Sequence, residues 1–265
     1  MIQVDDLGKT FPDGTRALDH VSLRIKPGEF SVVLGPSGSG KTTFLRSLNG
    51  LTPISEGKVL VNQIPLGPNS KRAIRLVVGM IFQNFNLVGN LSAINNVLTG
   101  LLFETSALRS LTYRFSRQQK LKALAVLDQV GLLEKAYTRA DRLSGGQQQR
   151  IGIARAIVRE PKIILADEPV ASLDPVIAFN VLSTLREICK NNGITVVCNL
   201  HQVDLALRFA DRIIGLNSGK LLFNETIQKI DKDYLQSVYG EGSRGLFFSP
   251  GRQLASLPDA VPAAI

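Results

Sequence analysis

Gly35-Pro36-Ser37-Gly38-Ser39-Gly40-Lys41-Thr42 decides the fold, because it fits the pattern G-x4-G-K-[ST] and separates two segments of different period. Before it, Phe30 to Leu34 is a short, largely apolar run of the kind that fills a strand buried on both faces. After it, Phe44, Leu45 and Leu48 recur at the spacing of one helix face until Gly50 ends the segment. Strand, glycine-rich loop and helix in that order predict an anion cradle. The glycines let backbone N–H groups turn toward a phosphate, and the helix N-terminus adds its partial positive charge. Gly35 to Thr43 is therefore the expected nucleotide contact, with Lys41 reaching the terminal phosphates and the Thr42 hydroxyl offered to Mg2+.

Working outward, Val21 to Ile25 alternates as a strand does, and Pro27-Gly28 supplies a turn. Gly57 to Val61 and Leu76 to Phe82 read as further strands, while Ser92 to Leu101 and Gln118 to Val130 have helical periodicity. Ser144 is an N-cap for a helix over Gln147 to Arg159 that Pro161 stops. A buried strand over Ile163 to Ala166, a helix over Pro175 to Lys190 and another buried strand over Ile194 to Leu200 complete the pattern. Buried strands alternating with helices predict an α/β fold: a mostly parallel sheet covered on both faces, with the helical middle third inserted between strands. The strand at Ile163 delivers Asp167 and Glu168 to its C-terminal end, the edge where α/β sheets bind ligands. Asp167 is placed to hold magnesium and Glu168 to orient or deprotonate a water.

Composition limits the remaining classes. With 265 residues, 44% hydrophobic and 20% charged, the chain can bury a full core, and disorder is excluded. The apolar runs fall well short of the roughly 18 residues of a membrane span, and Met1 to Asp6 carries acid without the apolar core of a secretory signal. A cytosolic chain is expected. Cys189 and Cys198 lack metal or redox spacing and read as small buried hydrophobes. The net charge of +9 favours an anionic partner: nucleic acid, nucleotide or an inner leaflet. Between Glu104 and Asp128 there is no acid, while Arg109, Arg114, Arg117, Lys120 and Lys122 gather there; a solvated helix face accounts for them equally well. His20 stands outside any motif and reads as a surface residue.

Leu143-Ser144-Gly145-Gly146-Gln147, upstream of Asp167, makes the chain resemble the ATP-binding cassette (ABC) ATPases. The resemblance implies an ABC ATPase domain over 1–240, with an N-terminal antiparallel β part and a helical subdomain at about 84–160; from about Gly240 the pattern lapses into Gly, Ser and Pro with scattered apolar residues, so a loosely ordered tail is expected over 241–265. It implies that Phe11 stacks on adenine, that Gln83 touches magnesium and the attacking water, and that His201 bonds the γ phosphate. It also implies a homodimer in which Ser144, Gly145, Gly146 and Gln147 serve the partner's ATP, with Ser172-Leu173-Asp174 crossing the interface.

Within that family, Asn95 to Gly100, Glu168 to Pro175 and Asn199 to Ala206 resemble the ATPases of phosphonate importers. The resemblance then implies integral membrane permease subunits, a periplasmic solute-binding protein as an indirect partner, no nucleic acid, and a peripheral place on the cytoplasmic face of the bacterial inner membrane. Importers of phosphate esters or an amino acid are the alternative. A soluble ABC protein acting on nucleic acid would carry a second cassette or a long coiled-coil insertion, and intact Glu168 and His201 speak against a module that binds ATP without turnover.

Overall fold

Two sheets meet beside the glycine-rich loop. In the computed structural model, which describes residues 1–104 and 115–240, the first is four-stranded and antiparallel in the order β2-β1-β4-β5. Its strands are β1 (Ile2–Thr10), β2 (Arg16–Ile25), β4 (Glu56–Val61) and β5 (Ile64–Pro65). The second is six-stranded in the order β10-β9-β3-β8-β7-β6. It comprises β3 (Phe30–Leu34), β6 (Val78–Ile81), β7 (Ile163–Asp167), β8 (Thr195–Asn199), β9 (Arg212–Asn217) and β10 (Lys220–Thr226). All its pairings are parallel except that of the edge strand β10 with β9. The α/β expectation and the antiparallel N-terminal part both hold.

The central strands are apolar throughout because each face meets a different core. Val32, Ile164 and Val196 join helices on one side, whereas Val33, Leu165 and Val197 pack toward the antiparallel sheet. Between the two sheets lies α1 (Lys41–Leu48), whose Phe44, Leu45 and Leu48 are fully buried. This burial fixes the direction of α1 and so aims its N-terminus at the C-terminal ends of β3 and β7.

The helical insertion leaves the sheet after β6 and returns at β7. Before β6 stands α2 (Lys71–Val77), whose Ile74 joins the core of the antiparallel sheet, and the insertion itself holds α3 (Ala93–Leu98), α4 (Arg117–Gln129) and α5 (Gly145–Ile157). Both α4 and α5 start in capping boxes, Ser116 with Gln119 and Ser144 with Gln147. Beyond β7, α6 (Pro175–Asn191) starts at Asp174, whose carboxylate accepts from the backbone N–H groups of Val176 and Ile177. Two short helices, α7 (Val203–Phe209) and α8 (Lys232–Tyr239), close the chain's described part.

Two segments depart from the sequence pattern. The apolar run Leu76 to Phe82, expected to be one strand, is split: Leu76 and Val77 finish α2, and Val78 donates its N–H to the Ile74 carbonyl. Ile74 is the buried anchor of that helix and Leu76 faces solvent, so the helix face, and not the apolar run, sets the boundary. The helix expected over Ser92 to Leu101 tightens at Thr99 into a 3-10 turn. There Gly100 lies so close to α5 that a β-carbon would stand 2.5 Å from the Arg155 carbonyl oxygen. Arg109, Arg114 and the tail 241–265 lie outside the described residues. Cys189 and Cys198 are buried free thiols; burial pushes both up, Cys189 to about 12. His20 is exposed, with Nδ1 2.7 Å from the Asp6 carboxylate.

Asp211 joins three elements at the opposite end of the sheet from the loop. It accepts from the Phe30 N–H at 2.8 Å and from Arg186 of α6 at 2.9 and 2.5 Å. Partial burial raises its carboxyl, but the Arg186 and Phe30 bonds outweigh this and hold it below the usual value. A depressed carboxylate contributes stability above its unfolded pKa and loses it as pH falls through the folded one. Asp211→Asn should therefore flatten the acid limb of the stability curve, with a smaller loss between about pH 6 and pH 3 than the parent in urea melts.

Candidate functional site

The phosphate loop is shaped by what surrounds its glycines. Gly35 follows β3 so tightly against β9 that a β-carbon would stand 2.2 Å from the Leu216 carbonyl oxygen. Gly40 has φ +99, and a β-carbon there would stand 2.4 Å from the Ala17 carbonyl oxygen on β2. The turn between β9 and β10 is tied to the loop by a bond from the Gly219 N–H to the Ser39 carbonyl. The loop thus sits between both sheets, with Ser37 and Gly38 left exposed.

Lys41 is 4% exposed and donates to the carbonyls of Gly35 and Pro36 at 2.8 and 3.0 Å. Burial pushes its ammonium down, and the carboxylates of Glu168 and Asp167 pull it partly back. Its partners inside the loop are neutral. A buried cation so placed favours an anion brought to the loop.

Asp167 is 3% exposed at the end of β7, and its carboxylate is held by three side chains from two elements, α1 and β8. Thr42 Oγ1 donates to Oδ1 at 2.9 Å, Asn199 Nδ2 donates to the same oxygen at 2.9 Å, and Arg46 Nε lies 3.5 Å from Oδ2. Thr42 and Asp167, predicted as a metal-holding pair, are therefore adjacent. Both present hard oxygen donors, the chemistry Mg2+ prefers. The sequence reading missed Asn199 and Arg46. Asn199 ends a buried strand in register with Asp167 and Arg46 stands one helical turn beyond Thr42; the sequence shows a polar residue and a cation there but not that they meet Asp167.

Glu168 follows in the left-handed region, φ +51, which is rare for its residue type and turns the side chain off the strand. Its Oε1 accepts from His201 Nε2 at 2.6 Å. The structure thus joins Glu168 to His201 as one unit at the sheet edge. Phe11 is 37% exposed in the β1–β2 hairpin, the Lys9 ammonium 5.0 Å from its ring centre, so it is not a core residue. Gln83 is exposed and lines an open groove of about 610 Å³ with Asn86, Asp141, Gln148 and Ser172.

Ser144, exposed, caps α5, and its hydroxyl accepts from the Gln147 N–H. Gly145 and Gly146 face the Asp174 loop: β-carbons there would stand 3.3 Å from the Leu173 side chain and 2.3 Å from that of Ile177. The signature stretch and the Ser172-Leu173-Asp174 loop therefore form one surface, separate in these contacts from the Lys41 cluster.

This fold and this edge of carboxylates, lysine and glycine loop define a phosphate-loop nucleotide-binding cassette. A family model described as ABC transporter matches residues 18–171. The phosphonates import ATP-binding protein PhnC of Thiobacillus denitrificans is 50% identical over 238 residues, covering 90% of this chain and 92% of its own. The dimeric structure of MJ0796, a bacterial ABC transporter cassette, superposes with TM-score 0.75 at 36% identity, covering 87% of this chain and 100% of that one. A second structure of MJ0796, a dimeric post-hydrolysis state bound to ADP and Pi, matches with TM-score 0.75 at 35% identity over the same shares of the two chains. The chain belongs to the ABC transporter family and is an ATP-binding cassette.

Because the Leu216 carbonyl, and with it the buried Ser39 hydroxyl at 2.5 Å, blocks the β-carbon position at Gly35, Gly35→Ala should force β3 and β9 apart and cost about 1–3 kcal/mol in urea unfolding. A neutral result would mean that the loop is not wedged between the sheets.

Proposed function

We propose that the chain is the ATP-hydrolysing subunit of a bacterial importer, energising uptake of phosphonates or related phosphorus oxyanions through a separate permease. The observation that carries the hydrolytic part is the joint at the sheet edge, where Thr42 and Asp167 stand 2.9 Å apart beside buried Lys41, with Glu168 paired to His201. The solute class rests on the near full-length similarity to a phosphonate import protein. Among the described residues, no helix is long and apolar enough to cross a membrane. The subunit works on the cytoplasmic face of the inner membrane, held there by permease subunits, with a periplasmic solute-binding protein as an indirect partner.

The roles follow from position. The N–H groups from Gly35 to Thr43 cradle the β and γ phosphates, and Lys41 moves from the loop carbonyls to them. Thr42 and Asp167, with Gln83, hold Mg2+, which when bound neutralises phosphate charge. Glu168 takes the proton of the attacking water, and His201 orients Glu168 through Nε2 and meets the γ phosphate. Phe11 stacks on adenine. Ser144, Gly145, Gly146 and Gln147 present the N-terminus of α5 to the ATP of a second copy, while Asp174 fixes the loop between them.

Glu168→Gln should keep ATP bound but slow hydrolysis by about 10²–10⁴, the usual worth of a positioned base; near-normal turnover would remove Glu168 from that role. Phe11→Ala should weaken ATP by about 1–3 kcal/mol while Phe11→Tyr leaves it unchanged, as titration calorimetry would read. The solute is tested with the complete transporter in vesicles: phosphonate should stimulate ATP hydrolysis and methionine should not. Stimulation by methionine alone would overturn the phosphonate reading.

A further inference from the structure

Gln149 is fully buried in α5, yet neither the oxygen nor the nitrogen of its amide has a hydrogen-bond partner. Buried amides are rarely left so, because each unpaired group has given up water without replacement. Its surroundings suggest what the amide is for. The side-chain oxygen of Gln149 and the carbonyl oxygen of Phe85 both lie over Gly152, 3.8 and 3.9 Å from where a β-carbon would stand. Phe85 belongs to the segment that begins with Gln83. That segment is fastened to the same helix at its two ends. The Phe85 ring lies 3.7 Å from the β-carbon position of Gly145, and Arg155 donates to the Phe85 and Asn86 carbonyls at 2.8 and 2.5 Å. Gly145, Gln149, Gly152 and Arg155 fall on one helix face. Asn86, with φ +48, gives the segment a strained turn.

We propose that Gln149 is a positioning residue for Gln83: its amide is a second seat for the 83–87 segment, taken when ATP binds. In the arrangement seen, Arg155 holds the segment's carbonyls. In the other, the segment shifts across Gly152 and its backbone near Asn84 and Phe85 pairs with the Gln149 amide, which carries Gln83 with it. The proposal rests on the reading of Gln83 as the residue that meets magnesium and the attacking water. Gly152 is small because the segment must cross it.

Two variants of the full chain test this. Gln149→Met removes the amide at similar volume, and an amide that is unpaired at rest is not missed there. Gly152→Ala meets only ordinary contacts in the arrangement seen and removes a glycine from a helix interior. Both should melt at or above the parent temperature and bind ATP within about twofold of it, yet lower kcat about tenfold or more with little change in KM. In hydrogen exchange, ATP should protect the amides of residues 84–87 in the parent, and that protection should vanish in both variants. Persisting protection, or a Gln149→Met variant that melts lower with unchanged kcat, would overturn the proposal and leave Gln149 a structural residue satisfied by buried water. Failure of the parent to bind ATP would instead overturn the nucleotide reading on which the proposal rests.

Discussion

A carboxylate that is 3% exposed has given up water and needs partners from the protein, and Asp167 is paired from α1 through Thr42 and Arg46 and from β8 through Asn199. That requirement brings three elements distant in sequence to one point. It draws the start of α1 against the ends of β7 and β8, which is the position from which Lys41 and the loop amides can face a phosphate. Glu168, one residue on, is thereby set beside His201 at the same edge. The proposed hydrolysis depends on this joint because the loop alone supplies no carboxylate.

The apolar core serves the same placement. α1 could not aim its N-terminus at Asp167 unless Phe44, Leu45 and Leu48 were buried between the two sheets, and the parallel strands are apolar on both faces because each sheet face has its own core. What the core does not contain is the helix start at Ser144, proposed above to face a second copy's ATP, which lies on the helical insertion and is tied to the Asp174 loop. Two N-terminal helix sites that belong to separate surfaces of one chain suit a head-to-tail pair of chains better than a monomer.

The sequence made the strand, loop and helix at Gly35 legible because each has its own period and the glycines leave little choice between them. Ile163 to Asp167 was equally plain, since a buried strand ending in two acids has few other uses. The boundary at Leu76 was not, because an apolar run satisfies a helix end and a strand alike until Ile74 chooses the buried face. β1, β9 and β10 were missed for a related reason. β1 and β9 take their places by pairing with partners far along the chain, as in Gly8 with Glu56 and Leu34 with Gly215, which no local period records, and β10 only returns along β9 through a tight turn. Asn199 and Arg46 were invisible as partners of Asp167 until strand register and helix direction were known.

On this reading one chain holds half of each complete site. The direct measurement is the molar mass of the Glu168→Gln subunit by light scattering, with and without ATP, beside the same variant carrying Ser144→Arg. ATP should double the mass of the first and leave the second monomeric with ATP still bound, since the bulk of the arginine side chain fills the space through which a partner's γ phosphate must approach the start of α5. A monomer at every ATP and protein concentration, from a Ser144→Arg chain that hydrolyses ATP at the parent rate, would contradict this reading.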